Sequence, residues 1–208
     1  MNPVNPGNAC IPFASGARRA ALLLPALLVM TCWATPGQAQ QLIPAGSEIA
    51  FTSRQMGVPV DGQFRKWNAT IQFDVKKPEA GKVAFTIDMG SATLGAADTD
   101  AEVAKADWFH TARFPQAQFQ SSAIKAVGKG RYEVSGALTI KGNTQTVTVP
   151  VTLSQTGSGA GLRTTATGSF TIKRLAFKVG EGPWGDTSMV ADEVQVKFKL
   201  NLSGMAPL

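Results

Sequence analysis

Residues 132–153 read YEVSGALTIKGNTQTVTVPVTL. Tyr132, Val134, Gly136, Leu138 and Ile140 fall on every second position, and Val147, Val149, Val151 and Leu153 answer them across Lys141-Gly142-Asn143-Thr144. A period of two belongs to a strand, whose successive side chains point to opposite faces. Gly142-Asn143 between two such runs is the signal for a two-residue hairpin turn. The stretch therefore reads as a β-hairpin with one apolar face.

The same pattern recurs about eight times between Ser47 and Leu202. Ala69, Ile71, Phe73 and Val75 form one set, Val83, Phe85, Ile87 and Met89 the next. Thr164, Ala166, Gly168, Phe170 and Ile172 precede a last set of Val194, Val196, Phe198, Leu200 and Leu202. Short connections join them: Lys77-Pro78-Glu79-Ala80-Gly81, Gly128-Lys129-Gly130 and Gly157-Ser158-Gly159-Ala160-Gly161. Consecutive strands with short connections are antiparallel neighbours. Only between Met89 and Phe119 does a helix fit, where Thr99-Asp100-Ala101-Glu102 resembles a capping box opening a helix to about Asp107.

One short helix cannot cover that much sheet, so the sheet packs on a second sheet or closes on itself. A meander of hairpins closes more naturally into an up-and-down barrel, whereas a sandwich usually needs Greek-key crossings; the residues alone leave both open. In a barrel, strands of about ten residues tilted ~40° enclose a space roughly 25 Å tall, and the small inward residues Ala, Gly, Val and Ser leave room in it.

Residues 1–39 read as an export signal. Arg18 and Arg19 supply the positive end, Ala20 to Met30 the apolar core, and Gly37-Gln38-Ala39 the small residues at a cleavage site after Ala39. The core is too short to span a bilayer, which takes about 20 residues. The expected organisation is thus a signal peptide, 1–39, and one domain, 40–208, placed in the periplasm. Both cysteines, Cys10 and Cys32, leave with the leader, so the domain needs no disulfide. The chain carries a formal net charge of +6, two units of which belong to Arg18 and Arg19. The remaining basic residues are dispersed, with neither a charge run nor interleaved aromatics, which argues against a nucleic-acid surface.

The catalytic inventory is thin. His110 is the single histidine, while a hydrolytic triad needs one with partners and a zinc site normally needs several His or Cys ligands. Asp98 and Asp100 sit where a helix start wants them, and Asp192-Glu193 open a strand with side chains on opposite faces. No enzyme activity, metal or cofactor is expected. What stands out is Asp107-Trp108-Phe109-His110-Thr111-Ala112-Arg113-Phe114-Pro115, then Gln116 to Phe119. Its crowded aromatics read as a plug docking the helix on one barrel end, as a ligand gate, or as both.

This block, the 132–147 run and Asp192-Glu-Val-Gln-Val196 together resemble the YceI-like family of secreted polyisoprenoid-binding proteins. Ser47 to Phe51, Gly62-Gln-Phe64 and Ala69 to Asp74 continue the likeness in the same order over nearly all of the domain. The resemblance implies an all-β fold: an antiparallel up-and-down, lipocalin-like eight-stranded barrel with one short helix, holding a long isoprenoid or fatty-acyl lipid in its lumen. Many members carry histidines where this chain has Gly46-Ser47 and Gln55-Met56-Gly57, so a head-group contact from those positions is not carried over. Val179 to Ser188, with Trp184, resembles a branch whose relatives occur with membrane cytochromes of the b561 type.

In such a barrel Ile71, Phe73, Phe85, Ile87, Leu138, Phe170 and Phe198 are expected to line the lumen. Trp108, Phe109, Phe114 and Trp184 are expected at the rim, where Arg113, Arg174 or Lys178 would meet a phosphate or carbonyl head. The expected partners are the lipid, a cytochrome b561-type membrane protein docking on a mobile Trp184 loop, and a second copy in a homodimer. The competing expectation is a filled barrel that only docks, without cargo.

Overall fold

The computed structural model describes residues 39–208. The segment expected to be an export signal, residues 1–39, lies outside the described residues apart from Ala39. Strand β1 runs Ala39–Gln55, β2 Val58–Phe64, β3 Trp67–Gln72, β4 Lys82–Asp88 and β5 Ala92–Thr93. Helix α1 follows at Ala97–Val103, then β6 Gln116–Gly128, β7 Arg131–Ile140, β8 Asn143–Thr156, β9 Arg163–Lys173 and β10 Glu193–Ser203.

The order of neighbours follows the chain, and every pairing is antiparallel. β1 pairs with β2 through Ile49–Gln55 and with β3 through Ala39 and Gln40, so β2 and β3 act as one bent strand. β4 and β5 do the same, pairing with β3 and β2 respectively. Counted so, eight strands form the wall, and β10 closes it on β1 with Phe51 opposite Val196 and Leu42 opposite Leu202. This is the up-and-down barrel with one short helix.

Three local features depart from the expected outline. The first strand starts at Ala39 rather than Ser47, because residues 44–47 bulge between Ile43 and Glu48 instead of ending the pairing. Ser47 seals that bulge, its Oγ donating to Ile43 O (2.6 Å) and accepting from Asn201 N (2.8 Å). The β7–β8 turn is Lys141-Gly142 rather than Gly142-Asn143, with Ile140 opposite Asn143 and φ of 49° and 73° at the two turn residues. Both signs are positive, as the twist of a two-residue hairpin requires, and Lys141 is held in this rare conformation by Nζ donating to Lys178 O (2.7 Å) and pairing with Glu181 (3.0 Å).

Helix α1 opens at Ala97, not at a Thr99 capping box, and ends at Val103. Asp100 Oδ1 accepts instead from Leu94 N (2.6 Å), tying the helix back to the end of β5. That hydrogen bond, then one from Thr93 and the charge of Arg65, holds the Asp100 carboxyl below the ordinary range.

Two apolar clusters divide the interior. The lower one gathers Ile71, Ile124, Tyr132, Leu153, Leu202 and Met205. The C-terminal segment closes this end, pinned by Gln155, which donates to Ala206 O (2.8 Å) and accepts from Leu208 N (2.9 Å). The upper cluster joins Val103, Trp108, Leu138, Phe177, Val179 and Val190 under α1 and the loop between β9 and β10.

Candidate functional site: the barrel lumen

Between the two clusters the barrel is open inside. A cavity of about 490 Å³ is bounded by residues from every strand except β5, and its wall is almost wholly apolar. All seven side chains expected to face inward, Ile71, Phe73, Phe85, Ile87, Leu138, Phe170 and Phe198, stand in its wall. Strand parity is the reason, since each stands two or four positions from another residue of the same run that lines the cavity.

The cavity persists because several phenyl rings lie flat on the wall. Phe51 sits opposite Gly62, and Phe198 opposite Gly168. A Cβ on either glycine would overlap the ring facing it, and one on Gly136 would overlap Phe119. The glycines thus do not themselves leave the room; they let aromatic rings lie against the barrel instead of projecting across it.

The polar lining is concentrated at one end. Ser53 and Gln55 come from the end of β1, and Asp98, Thr99 and Glu102 from α1. All five are half-buried or exposed, so the lumen meets solvent between the β1–β2 hairpin and α1. Outside this mouth, on the same hairpin and the loop bonded to it, Met56 is 74%, Val58 62% and Met189 45% exposed; Met56 N donates to Met189 O (2.8 Å). At the closed end Tyr132 is buried, with Phe73 edge-on at 4.9 Å, and burial pushes its phenol pKa up.

The rim residues divide. Trp108, Phe109 and Trp184 border the lumen, with Trp108 and Trp184 rings 5.4 Å apart and Phe109 6.2 Å from Phe64. Arg113, Phe114 and Lys178 do not; they border a separate shallow hollow with His110, Lys141 and Glu181. Phe114 packs against the Lys141-Gly142 turn, where a Cβ on Gly142 would come within 3.0 Å of its ring. The turns after α1 carry this half of the aromatic segment to the outer side of the barrel end, so one segment serves as lumen wall and external packing together.

Arg174 is a further correction. It is 3% exposed, and all five of its N–H donors are directed at main-chain carbonyls. Nε donates to Ala191 O (3.0 Å), Nη1 to Val179 O (2.9 Å) and Gly180 O (2.7 Å), Nη2 to Trp184 O (2.6 Å) and Val190 O (2.7 Å). No donor is left for a head group. Burial lowers its pKa and the nearby Asp192 raises it. Asp192 is itself more than a solvated strand end, accepting from Leu175 N (3.0 Å). The Trp184 loop, expected to be mobile, is therefore stapled from within by one buried guanidinium. Among the described residues no group of three His, Cys, Asp or Glu is placed to hold a metal.

Residues 41–202 match the model of the YceI-like domain. The chain belongs to the YceI-like family. Among solved structures, BcnA of Burkholderia cenocepacia is 46% identical, with a TM-score of 0.73 over 77% of this chain and 99% of that one. A polyisoprenoid-binding domain from Saccharophagus degradans, at 18% identity, shares the fold with a TM-score of 0.62 over 81% of this chain and 98% of its own. Among curated proteins, a UPF0312 protein of Pseudomonas savastanoi pv. phaseolicola is 30% identical over 131 residues, 62% of this chain and 68% of that one. Protein YceI of Escherichia coli O157:H7 is 33% identical over 126 residues, 59% of this YceI-like chain and 65% of that protein.

Proposed function

We propose that this protein is a periplasmic carrier that holds the apolar chain of one isoprenoid or fatty-acyl lipid in the barrel lumen. The observation that carries the reading is the apolar cavity of about 490 Å³, open at one end. Its size falls within the range of small-molecule sites. The apolar fringe of Met56, Val58 and Met189 beside the mouth supports passage of a water-insoluble chain. The leader at residues 1–39 supports export. The relative from Saccharophagus degradans, described as polyisoprenoid-binding, supports the class of cargo.

Burial of apolar surface is the driving force, at about 0.8 kcal/mol per methylene. Ten methylenes give roughly 8 kcal/mol against association costs of about 4 to 15 kcal/mol, so short chains bind weakly and affinity climbs with length. A docking role on a cytochrome b561-type membrane protein has less to rest on, because Trp184, the anchor it would use, is half-buried against Trp108.

Titration with a series of prenyl or acyl chains of increasing length tests the reading. Affinity is expected to rise about fourfold per methylene until the lumen is full. Phe85 lies between Trp67 and Phe119, at 6.4 and 6.5 Å, and Phe85→Asp is expected to abolish the uptake. A folded Phe85→Asp protein that binds the series unchanged would defeat the lumen as the site.

A further inference from the structure

The upper end of the lumen contains one buried polar group that the protein does not satisfy. Trp108 is 9% exposed, and its Nε1–H has no hydrogen-bond partner among the described residues. Indole N–H groups normally find an acceptor when buried, so the orphan calls for an explanation. The orientation of the ring supplies half of it. A Cβ on Gly180 would stand 3.1 Å from Trp108 Cζ3, and Cζ3 is the corner of the indole remote from Nε1. The benzo edge therefore faces the β9–β10 loop, while the donor is turned away from that loop on a residue that lines the cavity.

Electrostatics supplies the other half. The Arg174 guanidinium carbon lies 5.9 Å from the Trp108 ring centroid and is always charged; the charge of Asp192 acts on it, though no carboxylate among the described residues forms a salt bridge with it. Its own donors are all engaged, so it cannot bond a ligand, yet its charge favours an electron-rich atom nearby. A donor without an acceptor, beside a buried guanidinium, is matched by a ligand oxygen that accepts.

We propose, on the basis of the carrier reading, that Trp108 Nε1–H anchors the cargo's head by donating to a carbonyl-type oxygen. The head then sits under α1 and the chain points toward Tyr132 and Met205. The cargo is accordingly a lipid with an acceptor oxygen at its polar end, and a plain hydrocarbon fills the lumen without this contact.

The test compares a long-chain methyl ketone with the n-alkane of the same carbon number, each displacing a fluorescent fatty-acid probe from the wild type and Trp108→Phe. In the wild type the ketone is expected to bind about tenfold more tightly than the alkane, since it satisfies a donor otherwise left buried and unpaired. Trp108→Phe is expected to cut that ratio to below about threefold, by weakening the ketone more than the alkane. An unaltered ratio in the folded variant overturns the head-anchor assignment and leaves the carrier reading intact. Failure of both ketone and alkane to displace the fatty-acid probe from the wild type overturns both. Independently of the variant, the Trp108 indole N–H proton resonance is expected to move downfield with ketone and not with alkane; its indifference to ketone overturns the assignment.

Discussion

Arg174 Nη1 donates to the carbonyl of Gly180 over 2.7 Å, and the same nitrogen fills the space that a side chain at position 180 would need. Gly180 has a φ of +74°, so both its backbone and its lack of a Cβ are required there. The pair fixes the loop that carries Trp184 over the lumen. Arg174→Lys keeps the charge but reduces five donors to three, leaving two buried carbonyls unpaired. The expected loss is about 2 to 4 kcal/mol, read as a lower urea midpoint, with Trp108 and Trp184 fluorescence changing in the same transition. An unchanged midpoint would contradict the stapling role.

Gly62→Ala separates lumen volume from stability. The three atoms nearest to a Cβ on Gly62 all belong to the Phe51 ring, the movable end of a side chain. The ring is expected to swing into the cavity at a cost of about 1 kcal/mol or less, below the usual range for overpacking. The longest chains should then bind less well and short ones as before. Gly168→Ala meets the Pro150 carbonyl as well as Phe198, so it should destabilise more, about 1 to 3 kcal/mol. Equal effects of the two substitutions on melting temperature would refute this distinction.

Strand parity made the lumen wall legible in the sequence, because Ile71, Phe73, Phe85, Ile87, Leu138, Phe170 and Phe198 each follow from alternation along a single strand. Whether that wall encloses a cavity was not legible. It depends on Phe51 facing Gly62 and Phe198 facing Gly168, which is a matter of register between strands. The hairpin at residues 140–143 could be read to within one residue; the left-handed Lys141 could not, since its partners Lys178 and Glu181 are 37 and 40 positions away. Arg174 was expected at the rim because a cation near aromatics resembles a head-group contact. Its five carbonyl partners are assembled only when residues 179–191 fold around it, and no local pattern announces that.

The chain contains a single tyrosine, so ultraviolet titration of phenolate reports Tyr132 alone. Burial raises its folded-state pKa. The unfolded chain then loses this proton first, and the contribution is fully present below the ordinary value, about pH 10, and lost as pH rises through the higher folded-state value. The phenolate absorbance is expected to appear later than in the urea-unfolded protein, and later still with lipid in the lumen. Coincident titrations in the folded and unfolded protein would place Tyr132 in water.

Asp100 acts at the other end of the pH scale. Its carboxyl is held low by Leu94 N–H first, then by Thr93 and the charge of Arg65. A folded-state pKa below the unfolded one gives stability that is present above about pH 4 and lost as pH falls through the folded value. Asp100→Asn should therefore lower the melting temperature at neutral pH, and the gap to wild type should close on acidification. A gap independent of pH would assign the effect of the substitution to packing.

The central claim is an occupied lumen, and native mass spectrometry of the protein purified from its own host, with organic extraction of what it holds, tests it most directly. The account predicts one prenyl or acyl lipid per barrel, with an acceptor oxygen at its head, displaced when Phe85 is replaced by Asp. A barrel that is reproducibly empty and takes up no added quinone, polyprenol or fatty acid would contradict it.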